Sequence, residues 1–505
     1  MAWAGVTWAF WVGYAGSDDL FYSRYAYLLH RPPMNWWEFR IPYVMSLRSA
    51  FLLFGPTEFV AAIPTLLASL AIVASVAWMV GPEQGRDWKL WAAVALAITM
   101  PLDVGFRSVP AAPLFAAGIL AVGTVCLLKG SGWVRILGSF LLACAFVTHE
   151  VSFFYIAVLC LTALVVDPRR LAVPVLACVA LSVIAVAVEC AAYNQLLGDP
   201  FARYRTAAGS THSLPAGYDP DTGISGVAFY LWPLQKLVLS KHFGFDLALL
   251  LATGLICLKR LDTNQRIVWV TSFLVFLWLG YGTQVPWAYK PFYRQFHYYS
   301  PLIFGAASLL PATLSLATRR QRVAQLVVAL CVLSHLALTA SGGRWGQRVD
   351  VSRQLLDHSS RNPQTWFVTD VATMNDMYVV GGFRLPLNVV CINGPAVTGW
   401  LVLNKEPPNT PRFRFPEVHI SGILVNVEGL ATQEIEPEFK TFLELNSSDT
   451  PRVVAPTRLK WIFRPLRSLL APANPPGWMV QSLGGAVIEL ERAARREATP
   501  RTQDP

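Results

Sequence analysis

Charge is scarce in this chain: Asp, Glu, Lys and Arg make up only 14% of 505 residues, against 54% apolar types. With a mean hydropathy of +0.43, that balance excludes a soluble globular protein of this length. Cysteine gives no framework either. Of eight cysteines, Cys126, Cys144, Cys160, Cys178, Cys190, Cys257 and Cys331 lie in or beside apolar runs and only Cys391 falls elsewhere; there is no C-x-x-C, so neither a disulfide scaffold nor a thiolate metal site is available. No His/Cys cluster has zinc spacing, no internal repeat is present, and no stretch is of low complexity. The apolar opening "MAWAGVTWAFWVG" has no basic flank and no small-residue cleavage site, so a removed signal peptide is not expected. The net charge of +10 does not point to nucleic acid, because a membrane protein concentrates Lys and Arg in cytoplasmic loops and at lipid phosphates.

What the sequence has is long apolar runs. A bilayer core needs about 20 apolar residues per helix, and about eleven runs approach that length, at 1–16, 58–80, 90–101, 111–128, 134–147, 151–166, 171–191, 243–258, 267–282, 301–316 and 323–340. The basic loops "PEQGRDWK", "KGSGWVR", "DPRR", "KRLDTNQR" and "TRRQR" all fall on one side of this arrangement, which the positive-inside rule makes the cytoplasm. The opposite face receives Asp18 and Asp19, the turn "PLDVGFRSVP", the helix end "THE", the loop 193–242, the loop "PWAYKPFYRQFHYY" and everything after residue 340. This face also carries Arg24, Arg31, Arg203, Arg205, Lys290 and Arg294, against the simple charge rule. The expected fold is therefore a polytopic α-helical membrane protein in the plasma (inner) membrane. Residues 1–340 form its transmembrane domain. Beyond it the short β-prone runs "WFVTDV", "LNVVCI", "GILVNV" and "GAVIELE" predict an extracytoplasmic soluble mixed α/β domain over 341–490, with a disordered tail at 491–505.

The stretch "YAGSDDLFYSRYAYLLHRPPMNWWEFR" places two carboxylates where the first apolar run ends. The residues that follow mix aromatics and Arg at helical intervals, and Pro32 and Pro33 divide them, predicting two juxtamembrane helices near 17–51 that lie on the outer surface. Ser17, Asp18 or Asp19 suits the N-terminus of the first, as a cap or as a charge favoured by the helix dipole. A carboxylate pair at the membrane surface is costly unless it faces a wet cavity or a cation, which makes it a functional candidate as well. Asp18, Asp19, Tyr22 and Ala26 follow the pattern D-[DE]-x-x-Y-x-x-x-A, and "HRPPMNWW" leads into "LFGPTEFVAAIPTLLASL". In these features the chain resembles the GT-C glycosyltransferases, the group that holds the lipid A aminoarabinose transferases and protein O-mannosyltransferases. It departs from them at Ala62 or Ile63, where an Arg is common. The resemblance covers 1–340 and implies a polyprenyl-phosphate sugar donor used at the outer face. It also aligns Asp18 with the family's first acidic residue, the general base, leaving Asp19 to orient the base or to bind acceptor or cation. Inverting transfer needs a carboxylate to take the acceptor hydroxyl's proton and fixed cations to meet the departing phosphate.

Other outer-face residues supply candidates for the remaining tasks. Lys290, Tyr293, Arg294 and His297 share one face at i, i+3, i+4, i+7 spacing and suit a donor phosphate, with Arg31 as a further cation; an interfacial aromatic and Arg belt is the rival reading. Asp103 serves a cation or acceptor, or else pairs with Arg107. His149 and Glu150 bind acceptor or cation, or else satisfy each other. Glu189 has no evident partner, and His335 reads as a lone packing residue in mid-span. Any metal would be a hard divalent cation held by Asp18, Asp19 or Asp103. The expected function is transfer of a hexosyl or pentosyl group from the lipid-linked donor to a hydroxyl of a lipid, glycan or protein. The alternatives are a transporter or flippase for a lipid-linked sugar, a lipid-linked oligosaccharide polymerase or ligase, which Arg203 and Arg205 mimic, and a noncatalytic scaffold. Transport would call for related halves and midplane charges, which the sequence lacks.

Overall fold

The computed structural model describes residues 1–391 apart from 16–17, 30, 36, 82–87, 211–217, 220–223, 226–230, 232–233, 235–241, 283–295, 342–346, 362, 364–365, 370 and 388, and after 391 only short strands. The described helices are α1 (Ala2–Ala9), α2 (Asp18–Leu28), α3 (Ile41–Phe54), α4 (Glu58–Val80), α5 (Trp88–Thr99), α6 (Pro101–Phe106), α7 (Ala112–Lys129), α8 (Trp133–Thr148), α9 (Ser152–Val166), α10 (Pro168–Leu197), α11 (Ala202–Ser210), α12 (Asp246–Cys257), α13 (Thr263–Leu277), α14 (Leu302–Thr318), α15 (Gln321–Ser341), α16 (Gln347–Arg361) and α17 (Val371–Val380). Four of them, α4, α7, α10 and residues Gln321–Ala340 of α15, are long and apolar enough to cross a membrane, and five shorter helices are apolar as well. The protein is a multi-pass membrane protein. The first apolar run does not become one long helix: α1 stops at Ala9, a length of about 12 Å at 1.5 Å per residue. The chain beyond it runs without helix through Gly13, whose φ is +72°.

The chain divides into two compact units. In the first, comprising Met1–Gly13, Phe21–Phe54 and Phe59–Gly342, helices pack through small residues. A Cβ on Gly138 of α8 would come 2.6 Å from the Leu127 nitrogen of α7, and one on Gly118 of α7 would come 2.7 Å from Ala68 of α4. Such approaches let helix backbones touch where lipid supplies no hydrophobic drive. Polar ties join separate segments: Arg170 of α10 donates to Asn264 of α13 at 2.5 Å, and the Leu102 amide of α6 donates to the His242 carbonyl at 2.9 Å.

The second unit comprises Tyr14–Leu20, Gly55–Glu58 and Gly343–Pro505. Strands β1 (Trp366–Thr369), β2 (Val389–Cys391) and β3 (Ile420–Ile423) form a parallel sheet in the order β2-β1-β3. Helices α16 and α17 pack together over a core of Leu355, Met374, Met377 and Val389. This unit includes the turn before Asp18 and the turn before α4.

Candidate active site

Helix α2 begins with the acidic pair: Asp18 and Asp19 both lie in its first turn, where carboxylates meet the positive end of the helix dipole. Asp19 is 3% exposed, and its Oδ2 accepts the Ala15 amide at 2.6 Å. Ser17, the other cap candidate, lies outside the described residues. The sequence expectation of two helices split by the prolines is met by α2 and α3. Between them Pro32 and Pro33 have no N–H to donate, and the buried Glu38 carboxylate orders the loop instead. It accepts the Met34 amide at 2.7 Å, the Asn35 amide at 3.1 Å and both Arg31 terminal nitrogens at 2.8 and 2.9 Å. Arg31, an expected phosphate ligand, is thus engaged bidentately by Glu38, with its side chain 33% exposed.

Among the described residues of the first unit, a chain of alternating charges is drawn from four segments. Arg40 sits where the loop enters α3, its carbonyl accepting the Tyr43 and Val44 amides at 3.0 and 3.1 Å. Its guanidinium is buried, donates to the Tyr22 hydroxyl and reaches Glu150 Oε1 at 2.7 Å. Glu150 lies in the break between α8 and α9, which the extended backbone of His149 opens. Its second oxygen is 4.0 Å from Arg203, and Arg203 donates to Glu189 at 2.7 Å. The Tyr193 hydroxyl donates to Glu189 at 3.2 Å and Tyr204 to its other oxygen at 3.5 Å. Phe39, Tyr193, Ala202 and Leu197 form the apolar wall beside it.

Electrostatics follow from burial. Both arginines are nearly inaccessible, whereas the Glu150 side chain keeps 35% of its surface open. Desolvation opposes its charge, but Arg40, His149 and Arg203 outweigh that and hold the carboxyl well below the usual carboxylate range. Desolvation likewise opposes the Arg40 charge, and Glu150 with Tyr22 and Tyr298 raises its pKa above the ordinary value. The two arginines are thus matched by Glu150 and Glu189, and Glu150 is the open member of the chain, at which an incoming anion competes for strong donors.

Several sequence expectations resolve differently. His149 and Glu150 do not satisfy each other: His149 Nε2 stands 3.9 Å from Glu150 Oε1, too far for a hydrogen bond. The His149 Nδ1 instead accepts the Val151 amide at 3.3 Å, and its ring lies against Tyr298 at 5.3 Å. Glu189 is not solitary, as shown above. Neither is His335, which reaches Asp246 at 3.1 Å and Thr99 at 3.1 Å, all three buried. Gly244, with φ of +55°, lies so close that a Cβ there would come 3.2 Å from the His335 ring. Asp103 takes the second of its two expected readings, an ion pair with Arg107, here fully buried. Ser69 donates to Asp103 at 2.8 Å, and Arg107 also donates to the Ile98 carbonyl at 2.6 Å and to Thr7 at 3.2 Å. Lys290, Tyr293 and Arg294 lie outside the described residues. So does the His297 side chain, although its backbone belongs to the 3-10 turn Phe296–Tyr299 that brings Tyr298 to His149. Among the described residues no cluster of three or more His, Cys, Asp or Glu suited to a metal occurs.

Sequence reasoning missed Arg40, Glu38 and the linkage of Arg203 to Glu150. Arg40 ends the very stretch that carries the acidic pair, and its place just before the apolar run of α3 was the available signal.

The chain is a multi-pass membrane protein whose fold has counterparts among solved structures. The chain is similar in structure to ArnT from Cupriavidus metallidurans bound to undecaprenyl phosphate, with a TM-score of 0.51, 12% identity and coverage of 96% of this chain and 97% of that one. ArnT in the apo state matches with the same TM-score, 11% identity and 96% coverage of both chains. An oligosaccharyltransferase from Archaeoglobus fulgidus tethered with an acceptor peptide gives a TM-score of only 0.40 at 13% identity, over 74% of this chain and 60% of that one, too slight a likeness to use. No family model and no curated protein matches the chain. The shared property is the fold.

Proposed function

We propose that the protein transfers a sugar, with inversion, from a polyprenyl-phosphate donor to an acceptor hydroxyl at the outer face of the plasma membrane. The observation that carries this reading is the end-to-end likeness in fold to a protein crystallised with undecaprenyl phosphate, joined to an acidic pair at the head of α2. Asp18 is the general base that takes the acceptor hydroxyl's proton as the anomeric carbon leaves phosphate. Asp19, fixed by the Ala15 amide, orients it. Arg40 and Arg203 meet the phosphate that departs, assisted from the 283–299 segment by Lys290, Tyr293, Arg294 and His297. Glu150 and Glu189 set the net charge those two arginines present, and Asp103 with Arg107 braces the fold.

The test uses the full-length protein with radiolabelled polyprenyl-phosphate sugars and membrane fractions as acceptors. Asp18→Asn keeps the shape and the capping capacity of Asp but cannot accept a proton at neutral pH. Transfer is expected to fall by about 10² to 10⁴ while donor binding persists. Retained transfer in both Asp18→Asn and Asp19→Asn would sink the mechanism; loss only in Asp19→Asn would move the base by one residue.

A further inference from the structure

We infer that Arg353, on helix α16 beyond the membrane domain, is a positioning residue for the acidic pair, acting through a single peptide group. The inference rests on the role proposed above for Asp18 and Asp19. Every group involved belongs to one compact unit.

Tyr14 lies four residues before Asp18, and both of its backbone polar groups are engaged. Its amide donates to Glu58 Oε1 at 2.7 Å, and its carbonyl accepts from Arg353 at 3.2 Å. The same Arg353 nitrogen also donates to Glu58 Oε1, so guanidinium and carboxylate together clamp Tyr14. The carbonyl of Tyr14 and the amide of Ala15 are two ends of one planar peptide unit. The far end of that unit, the Ala15 N–H, donates to Asp19 Oδ2 at 2.6 Å. A cation on the carbonyl polarises the peptide and makes its N–H a stronger donor, as chained hydrogen bonds do. Because ω resists rotation, the orientation that Arg353 imposes on the carbonyl is the orientation in which the N–H meets Asp19. The three elements come from far apart in sequence: Arg353 is 339 residues from Tyr14 and 295 from Glu58. A neighbouring contact reinforces the placement. Gly382, with φ of +68°, leaves its missing Cβ 2.8 Å from the Pro56 carbonyl, so the turn after α17 seats directly on the turn before α4. On this reading the soluble portion contributes to chemistry: it holds the carboxylate beside the base, and transfer depends on α16 staying in place.

Two measurements decide the proposal. The first is independent of catalysis: hydrogen exchange of the peptide containing Tyr14 and Ala15 in the full-length protein. Arg353→Ala should speed exchange at these two amides by about tenfold or more, and Arg353→Lys, which retains a cation beside Glu58, should speed it less; unchanged exchange in Arg353→Ala overturns the inference. The second measurement is turnover. Arg353→Ala should lower kcat by roughly 10- to 100-fold, as expected for slight misplacement of a catalytic carboxylate. The donor KM should stay within about threefold, and Arg353→Lys should recover part of the loss. Because Arg353 acts through Asp19, adding Arg353→Ala to Asp19→Asn should cost little more than Asp19→Asn alone. Full additivity, or a parallel loss of kcat, donor affinity and thermal stability, would reduce Arg353 to a structural residue. Altered exchange in a protein that transfers no sugar from any polyprenyl-phosphate donor would leave the clamp standing and overturn the proposed function instead.

Discussion

Replacing Glu150 by Gln tests the charge chain, since it removes one negative charge and little else. At an effective dielectric of about 20, unit charges about 4 Å apart attract by roughly 4 kcal/mol, and deleting one partner of a buried pair costs about 3–5 kcal/mol. Two features reduce that figure. The Gln oxygen can still accept from Arg40, now 2.7 Å away, and the carboxylate it replaces is 35% exposed and hence partly screened. A loss of about 1–2 kcal/mol of stability is expected. The effect on the donor has the opposite sign. A phosphate gripped by Arg40 and Arg203 would stand roughly 6 Å from this carboxylate, and in a half-aqueous dielectric of about 45 their repulsion is about 1 kcal/mol. Glu150→Gln should therefore lower the donor Kd by roughly fivefold even as the protein melts earlier, and Arg40→Gln should raise it. Binding of a fluorescent polyprenyl phosphate to detergent-solubilised protein, paired with thermal unfolding, reads both. Weaker or unchanged donor binding in Glu150→Gln would refute the placement of Arg40 and Arg203 at the phosphate. The pH dependence follows from the depressed pKa. Stabilisation by Glu150 is present above the ordinary carboxylate value of about 4.3 and is lost only as pH falls through the lower folded value. Between pH 5 and 8 the stability gap between parent and variant should therefore be constant.

Asp103→Asn should lower the melting temperature without a specific loss of donor or acceptor affinity, because it strands the buried Arg107; replacing the pair together by Leu and Met should recover most of the stability. Lost transfer at unchanged stability would instead put Asp103 at a ligand. For topology, single cysteines placed in a Cys-free background should be labelled from outside at position 210 and blocked from outside at positions 169 and 320; the reverse pattern would move the proposed site to the cytoplasm.

How much of this was legible beforehand depends on range. Hydropathy marked the runs that become α4, α7, α10 and α15 because a helix satisfies its own backbone, so a stretch of apolar residues suffices to specify it. The Pro32–Pro33 break and the acidic start of α2 were readable for the same reason: each acts within one or two turns. The resemblance read from the short pattern around Asp18 and Tyr22 pointed toward the lipid A aminoarabinose transferases, and the fold is similar to that of ArnT. Missing were the partnerships. His335 looked isolated because its partners come from other segments, Thr99 lying 236 residues away, and the link from Arg40 to Glu150 spans 110 residues; Glu189 instead meets Tyr193 four residues on in the same helix and Arg203 14 residues away.

Local composition thus determined that the chain is helical, embedded in a membrane and armed with an acidic pair at the head of α2. Apart from the i, i+4 pair of Asp103 and Arg107, which charges neutralise which was decided by tertiary packing. Small residues such as Gly118 and Gly138 choose which helices approach closely, and that choice sets which buried Arg meets which carboxylate. A buried charge must find a partner somewhere, since desolvation alone would expel it. Sequence states that requirement for Arg40 and, through the i, i+4 spacing, already offers Asp103 as the partner of Arg107; the partner of Arg40, 110 residues away, is a property of three-dimensional neighbourhood that no local pattern contains.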